Sequence, residues 1–208
     1  MKLKAIIFDM DGVLVDPRET AYHLFLHIAK RFGYKEPGKE EVIRLIGIKI
    51  EKIIERLFGV DKQEALRIKQ LVISMFDEYN DRYGKVIDSV ERVLSTLKYK
   101  KAIVSNSTKP IVLKTLERFN LEKFFDVIIT SDDVRKEKPD PEALLLAIKK
   151  MGVSKDECVF VGDTKIDMLA ANNAGIKFIG VLSGIGKKDE FGNEVVIPSI
   201  KYLQAVVS

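Results

Sequence analysis

The fold turns on the stretch Lys4–Ala5–Ile6–Ile7–Phe8–Asp9–Met10–Asp11–Gly12. A short isoleucine-rich run stops abruptly at Asp9, which predicts a buried strand over residues 4–8 with two carboxylates just past its carboxyl end. Asp9 and Asp11 are two residues apart, so a locally extended chain presents both on one side. Gly12 then lets the chain turn and brings backbone N–H groups close to whatever binds there. The start of the chain briefly imitates a secretion signal. Asp9 and Asp11 interrupt the apolar region where it should continue, and no small-residue cleavage site follows.

Working outward, four further segments read as buried strands: residues 102–105, 125–130, 158–162 and 178–182. Helical patterns lie between them, over residues 88–97, 110–119, 141–151 and 164–174. The third opens with Pro141 at a first helical position and stops at Gly152, and the fourth stops in the same way at Gly175. Strand and helix alternating at this spacing predict an α/β fold, a doubly wound parallel sheet covered by helices on both faces. The stretch 19–83 breaks the rhythm with helical patterns alone, over residues 20–32, 39–46, 50–58 and 62–83. Gly33, Gly47, Gly59 and Gly84 punctuate them. This predicts a small all-helical cap, residues 17–84, inserted after the first strand of a core formed by residues 1–16 and 85–208. Linkers near Asp16 and Gly84 would join the two. The tail, 195–207, is expected to add a strand and a short helix around Pro198.

A chain of 208 residues with 46% hydrophobic content buries one core plus a smaller insertion. One cysteine, Cys158, rules out an intramolecular disulfide, and no apolar run approaches a membrane span. A soluble cytoplasmic protein is the expectation. Thirty-five Lys and Arg against 31 Asp and Glu leave +4, with the basic clusters (Lys98–Tyr99–Lys100–Lys101, Lys149–Lys150, Lys187–Lys188) scattered, so neither nucleic acid nor membrane is an expected partner. The charged fraction of 32% leans toward a heat-adapted source.

In an open parallel sheet, ligands bind outside the carboxyl ends of the strands. Asp9 and Asp11 follow the first strand, Asp163 follows strand 158–162, and Asp167 lies four residues on, within the first turn of the next helix. Four converging carboxylates repel unless a cation joins them. Mg²⁺ takes one or two carboxylates, keeps several waters and shares its shell with substrate phosphate. Zinc would want Cys or His, of which the chain offers only Cys158, His23 and His27. Taken singly, each Asp also reads as a turn former or cap, and Asp163 would serve as a helix N-cap. Two further features join the set. Ser105–Asn106 ends the strand 102–105, where a hydroxyl and free N–H groups could hold phosphate oxygens. In Lys138–Pro139–Asp140–Pro141 two prolines fix the backbone after a lysine, which would supply the cation a phosphoryl group needs.

These pieces, in this order, resemble the haloacid dehalogenase (HAD) superfamily of aspartate-nucleophile phosphohydrolases, and within it the phosphoglycolate phosphatase-like subgroup with a helical cap between the first two motifs. Four motifs carry the resemblance across nearly the whole chain: Asp9–Met–Asp–Gly–Val–Leu–Val–Asp16, Ser105–Asn106, Lys138–Pro139 and Gly162–Asp–Thr–Lys–Ile–Asp167, the last continued by Met–Leu–Ala–Ala–Asn–Asn–Ala–Gly–Ile176. The resemblance implies that Asp9 is the nucleophile and forms an aspartyl-phosphate, and that Asp11 protonates the leaving oxygen and then activates water. It implies that Ser105, with Asn106 beside it, binds phosphoryl oxygens and that Lys138 neutralises charge on nucleophile and phosphate. Mg²⁺ would be held by Asp9, the main-chain carbonyl of Asp11 and Asp163, with Asp167 direct or through water.

The cap would close over a small phosphorylated metabolite, with Arg44 and Lys49, flanking Gly47, placed to meet an anionic substrate tail. Asp11 argues against dehalogenase chemistry, and Gly162–Asp163–Thr164 has the form usual in phosphatases rather than mutases. Pro17 stands where Ser or Thr is more usual. The expected activity is that of a phosphoglycolate phosphatase-like phosphomonoesterase. Phosphatases for sugar phosphates, nucleotides or pyrophosphate, a phosphomutase, and a non-catalytic scaffold on the same fold stay open as alternatives. A homodimer is the base-rate expectation for assembly.

Overall fold

The computed structural model describes residues 2–207; Met1 and Ser208, the outermost residues of the expected core, lie outside the described residues. The strands in chain order are β1 (Ala5–Phe8), β2 (Val15–Asp16), β3 (Lys85–Val86), β4 (Lys100–Val104), β5 (Val127–Ile129), β6 (Cys158–Gly162), β7 (Lys177–Val181) and β8 (Val195–Ile197). The helices are α1 (Arg18–Phe32), α2 (Lys39–Ile43), α3 (Ile50–Phe58), α4 (Lys62–Tyr83), α5 (Val90–Thr96), α6 (Lys109–Arg118), α7 (Glu142–Met151), α8 (Lys165–Ala174) and α9 (Leu203–Val207). Six strands form one parallel sheet in the order β5-β4-β1-β6-β7-β8.

β1 runs through the middle of the sheet because all four of its side chains are apolar and buried. Ile6 and Phe8 pack on one face with Val93 and Leu94 of α5 and Val112 and Leu116 of α6. Ala5 and Ile7 face the opposite layer with Leu144 of α7 and Ala170 and Ala174 of α8. β1 and β6, buried along their whole length, show no polar side, so both faces of the sheet are covered at its centre. The chain leaves β1 toward β4 and β5, then returns to β6 on its other side. That reversal opens a crevice at the carboxyl ends of β1, β4 and β6, where a doubly wound sheet places its ligands.

The segment between β2 and β3 contains helices and turns but no strand, and has its own apolar cluster, including Leu24, Phe25, Ile28, Ile54, Ile68 and Val72. β2 and β3 pair antiparallel, Val15 with Val86 and Asp16 with Lys85, so both connections to the sheet run through one short ribbon. Pro17 offers no side-chain cap to α1, and Asp16 substitutes for it, its Oδ1 accepting the Arg18 N–H at 3.1 Å. Helix 62–83 spans the residues expected. Helix 39–46 ends early, at Ile43, and residues 44–49 turn instead, with Gly47 at φ +95°. Strand 125–130 shrinks to Val127–Ile129 because Glu122–Phe124 forms a 3₁₀ turn and Asp126 Oδ2 accepts the Lys101 N–H. The tail holds the expected strand and helix, β8 and α9. No described helix is long and apolar enough to cross a membrane.

Candidate active site

Asp9 emerges from β1 into the crevice, its N–H held by the Val161 carbonyl of β6 at 2.9 Å and its side chain buried. Lys138 meets it there. The lysine Nζ lies 2.8 Å from Asp9 Oδ1 and 2.7 Å from Asp167 Oδ1, and donates to the Val104 carbonyl at 3.1 Å. The side chain is aimed from its backbone. Asn106 Oδ1 accepts the Lys138 N–H at 2.9 Å, and Asn106 Nδ2 donates to the Lys138 carbonyl at 3.1 Å. Burial opposes the lysine's charge, yet Asp167 and Asp9 outweigh it and hold the ammonium above the ordinary lysine range. Burial pushes Asp9 up to about 7, against Lys138, with Asp167 and Asp11 adding repulsion.

The β6–α8 junction supplies the next two carboxylates. Thr164, not Asp163, is the N-cap of α8. Its hydroxyl accepts the Asp167 N–H at 3.3 Å, while Asp167 Oδ2 accepts the Thr164 N–H at 3.0 Å and its hydroxyl at 2.6 Å. With the cap role taken, Asp163 points into the crevice. Its Oδ2 accepts the Ile185 N–H at 2.9 Å, while its Oδ1 is buried without a partner. Burial first, then repulsion from Asp167 and Asp9, raises its carboxyl well above the usual range.

Asp9, Asp163 and Asp167 each bring an oxygen within 4.8 Å of the others. An orphaned buried carboxylate oxygen in a three-carboxylate cluster matches what a hard divalent cation requires, and the donors are oxygens only. The cluster fits such an ion. The Asp11 carboxylate stands apart from it, so only the Asp11 main chain remains for a metal. Both Asp167 oxygens already accept hydrogen bonds from protein donors, which favours an indirect part for that residue.

Asp11 faces the other way. Its Oδ2 accepts from the Ser107 hydroxyl at 3.1 Å, and it lines a cavity between the sheet and the helical insertion. Desolvation raises its carboxyl to about 6, against Ser107 and Lys138. A carboxyl in that range can both give and take a proton near neutral pH. Ser105 sits buried at the end of β4, and its Oγ accepts the Ser107 N–H at 3.1 Å.

The structure therefore brings Asp9, Asp11, Ser105, Asn106, Lys138, Asp163 and Asp167 to one crevice and leaves out two expected residues. Arg44 is exposed, away from the crevice, beside Glu40, Glu41 and Arg56. Lys49 is held by Glu137 Oε2 at 3.0 Å, and Lys52 by Glu137 Oε1 at 2.7 Å. Between them, the Gly47 carbonyl makes the contact, accepting from Asn106 Nδ2 at 2.9 Å. The Asn106 carboxamide is thus spent on Lys138 and Gly47, leaving only its backbone for a ligand.

Sequence reasoning missed Ser107 and the Ser183–Gly184–Ile185–Gly186 loop. A Cβ at Gly184 would collide with the Asp163 carboxylate, as would one at Gly12, where φ is +78°. Two glycines two residues apart just after a strand were the available signal.

The chain matches the haloacid dehalogenase-like hydrolase family over residues 6–181. It is 30% identical over 216 residues to a pyrophosphatase PpaX of Halalkalibacterium halodurans, covering 100% of this chain and 98% of the relative. It is 32% identical over 186 residues to a pyrophosphatase PpaX of Bacillus pumilus, covering 86% and 83%. Among solved structures, that of a predicted phosphoglycolate phosphatase from Haemophilus somnus superposes with a TM-score of 0.88 at 20% identity, covering 100% of this chain and 99% of that one. At that identity the likeness bears on the fold. The curated relatives carry the name pyrophosphatase, not the phosphoglycolate phosphatase expected from sequence. With sequence match, sheet order and clustered carboxylates in agreement, the chain belongs to the haloacid dehalogenase-like hydrolase family.

Proposed function

We propose that this hydrolase, a phosphatase by its family and its relatives, cleaves a small phosphomonoester in the cytoplasm through an aspartyl-phosphate on Asp9, with Mg²⁺ as cofactor. The observation that carries the reading is the buried Lys138 ammonium within 2.8 Å of the Asp9 carboxylate, at the carboxyl end of the central strand. Asp9 attacks phosphorus, the bond to the leaving oxygen breaks, and that oxygen takes the proton from Asp11. Asp11, now a base, takes a proton from the water that attacks the aspartyl-phosphate, which releases inorganic phosphate and restores Asp9. Lys138 favours the ionised, nucleophilic form of Asp9 against the pull of burial and meets the charge on the phosphoryl oxygens, aided by the Ser105 hydroxyl and the N–H groups around it. When bound by Asp9, Asp163 and the Asp11 main chain, Mg²⁺ would supply neutralisation between nucleophile and phosphate. Positioning and charge stabilisation are most of what phosphoryl transfer asks of a protein.

The helical segment 17–84 acts as the cap, closing through Gly47 to exclude water from the crevice, and the β2–β3 ribbon is the hinge. Hydrolysis of pyrophosphate is the second reading, carried by the names of the relatives at 30% and 32% identity. The test is phosphate release from p-nitrophenyl phosphate and a panel of small phosphate esters. Turnover by the wild type with Mg²⁺, its loss with EDTA, and a fall of at least about 10³-fold in Asp9→Asn are expected. Equal turnover by Asp9→Asn would remove the covalent mechanism.

A further inference from the structure

The cavity beside Asp11 has a volume of about 100 Å³ and lies between α1, α3, α4 and α6. Its wall is largely apolar, with Leu24, Phe25, Ile53, Val72, Phe76 and Ile111 prominent. Three threonines interrupt that wall: Thr20 from α1, and Thr108 and Thr115 from the start and the body of α6. They are 3%, 3% and 2% exposed, and none of the three hydroxyls has a hydrogen-bond partner.

Local partners were on offer. A helical threonine ordinarily returns its hydroxyl to a carbonyl three or four residues back, as Thr96 does to Val93 and Arg92 at 3.0 and 3.1 Å. Thr108 occupies the N-cap of α6 yet makes no capping bond. Thr108 and Thr115 stand two helical turns apart on one face, with Ile111 between them. Buried hydroxyls left unpaired are costly and uncommon, and three in one cavity point to a shared ligand.

The charges around the cavity state what that ligand cannot carry. Its acidic lining residues are Asp11 and Asp16, the latter already paired with Arg18 at 2.6 Å. Among the described residues, its basic lining is Lys85, which is exposed. A second phosphate or a carboxylate on the leaving group would face an apolar wall and Asp11, with no buried cation to receive it.

We infer that this cavity holds the alcohol part of the substrate, and that this part is a small, uncharged, hydroxyl-bearing carbon chain bonded by Thr20, Thr108 and Thr115. The inference rests on the phosphatase reading and deepens it by assigning the leaving group. By proportion with a cavity of about 150 Å³ that takes benzene, the space admits roughly four non-hydrogen atoms. In pyrophosphate hydrolysis the leaving group is itself a phosphate, and in phosphoglycolate hydrolysis it carries a carboxylate; both are disfavoured here.

The test compares kcat/KM for glycerol 1-phosphate, propyl phosphate, phosphoglycolate and pyrophosphate, with Mg²⁺, in the wild type and in Thr20→Val, Thr108→Val and Thr115→Val. The wild type is expected to favour glycerol 1-phosphate over phosphoglycolate and pyrophosphate by about tenfold or more. Each valine is expected to cut the ratio of glycerol 1-phosphate to propyl phosphate by about three- to tenfold, one hydrogen bond's worth. Thermal melts of the same variants are expected to hold or rise, since valine fills the space without an unpaired hydroxyl. Pyrophosphate or phosphoglycolate ranked first would overturn the inference while the phosphatase reading stands. So would an unmoved ratio, or valines that lower the melting temperature and all four rates together. Release of phosphate from none of these compounds would sink the phosphatase reading, and the inference with it.

Discussion

Lys138 is the residue on which the crevice depends most. It stands between two buried carboxylates, 2.8 Å from Asp9 and 2.7 Å from Asp167, and no described water-facing surface relieves them. Lys138→Met leaves both carboxylates uncompensated, and urea unfolding is expected to show a loss of about 3–5 kcal/mol. Asp163 presents the opposite case. Its unpaired Oδ1 and its repulsion by Asp9 and Asp167 are relieved when a cation arrives. With Mg²⁺ at a hundred times its Kd, the wild type is expected to gain about 2.7 kcal/mol over protein in EDTA. Asp163→Asn should melt higher without metal and gain less than half that increment with it, read by scanning fluorimetry. Cys158 lies buried on β6 facing α7 and α8, and burial, helped by Glu157, pushes its thiol up to about 11. At pH 8 roughly one thiol in a thousand is ionised, so thiol reagents should label the unfolded chain and spare the native one.

At the scale of elements, the N-terminus of α8 shows how a local choice serves the site. Thr164 and Asp167 complete each other's hydrogen bonds, which frees Asp163 and turns Asp167 Oδ1 toward Lys138. Thr164→Val removes the cap and one anchor of Asp167. A stability loss of about 1 kcal/mol is expected, within the usual range for a cap, together with a larger fall in kcat. The location of this helix was legible from Gly162, Gly175 and the spacing between them. Its cap was not, because Asp163 and Thr164 are both good N-caps and only the position of Lys138, 26 residues before Thr164 in the chain, decides which carboxylate is needed elsewhere. Likewise the periodicity of residues 39–46 reads as helix, but the chain turns after Ile43 so that the Gly47 carbonyl reaches Asn106. A tertiary hydrogen bond there outweighs a weak helical preference.

At the scale of the whole molecule, the helical insertion and the sheet are latched at two sides. Glu137, next to Lys138, takes Lys49 and Lys52; on the far side Asp77 takes Lys114 at 2.5 Å and Asp81 takes Arg118 at 2.8 Å. Burial works against Glu137, but hydrogen bonds from Lys52 and Lys49 outweigh it and draw its carboxyl down to about 2. A carboxyl lowered on folding stabilises the native state above its unfolded value of about 4.3, and that contribution is lost as pH falls toward 2. Surface pairs of this kind are worth at most about 1 kcal/mol each. Glu137→Gln is therefore expected to cost little stability at pH 7, to speed amide exchange in residues 44–52, and to flatten the acid limb of unfolding between about pH 4.3 and 2. Unaltered exchange in that segment would show that the latch does not hold the insertion down.

The sequence by itself determined the layers of this protein. Apolar runs that end at Asp9, Ser105 and Asp163 specify buried parallel strands, and carboxylates at strand ends follow from the period of the chain rather than from any distant contact. The carboxylates at strand ends gather in the crevice because a doubly wound sheet brings those ends together, whereas Arg44, Lys49, Ser107 and the 183–186 loop show that its further contacts were not legible. Only the tertiary structure decided what each of them does. Arg44 and Lys49 flank Gly47 in one turn, yet one faces solvent and the other is drawn to Glu137, since the direction of a long side chain is set by the partner across the interface. Asn106 proved to be a clamp on Lys138 because its amide finds three backbone groups, two on Lys138 and one on Gly47, from segments far apart in sequence. The three threonines of the cavity carry no sequence signal at all. Thr20 and Thr115 are 95 positions apart, and their unpaired hydroxyls acquire meaning only when α1 and α6 enclose the same space beside Asp11.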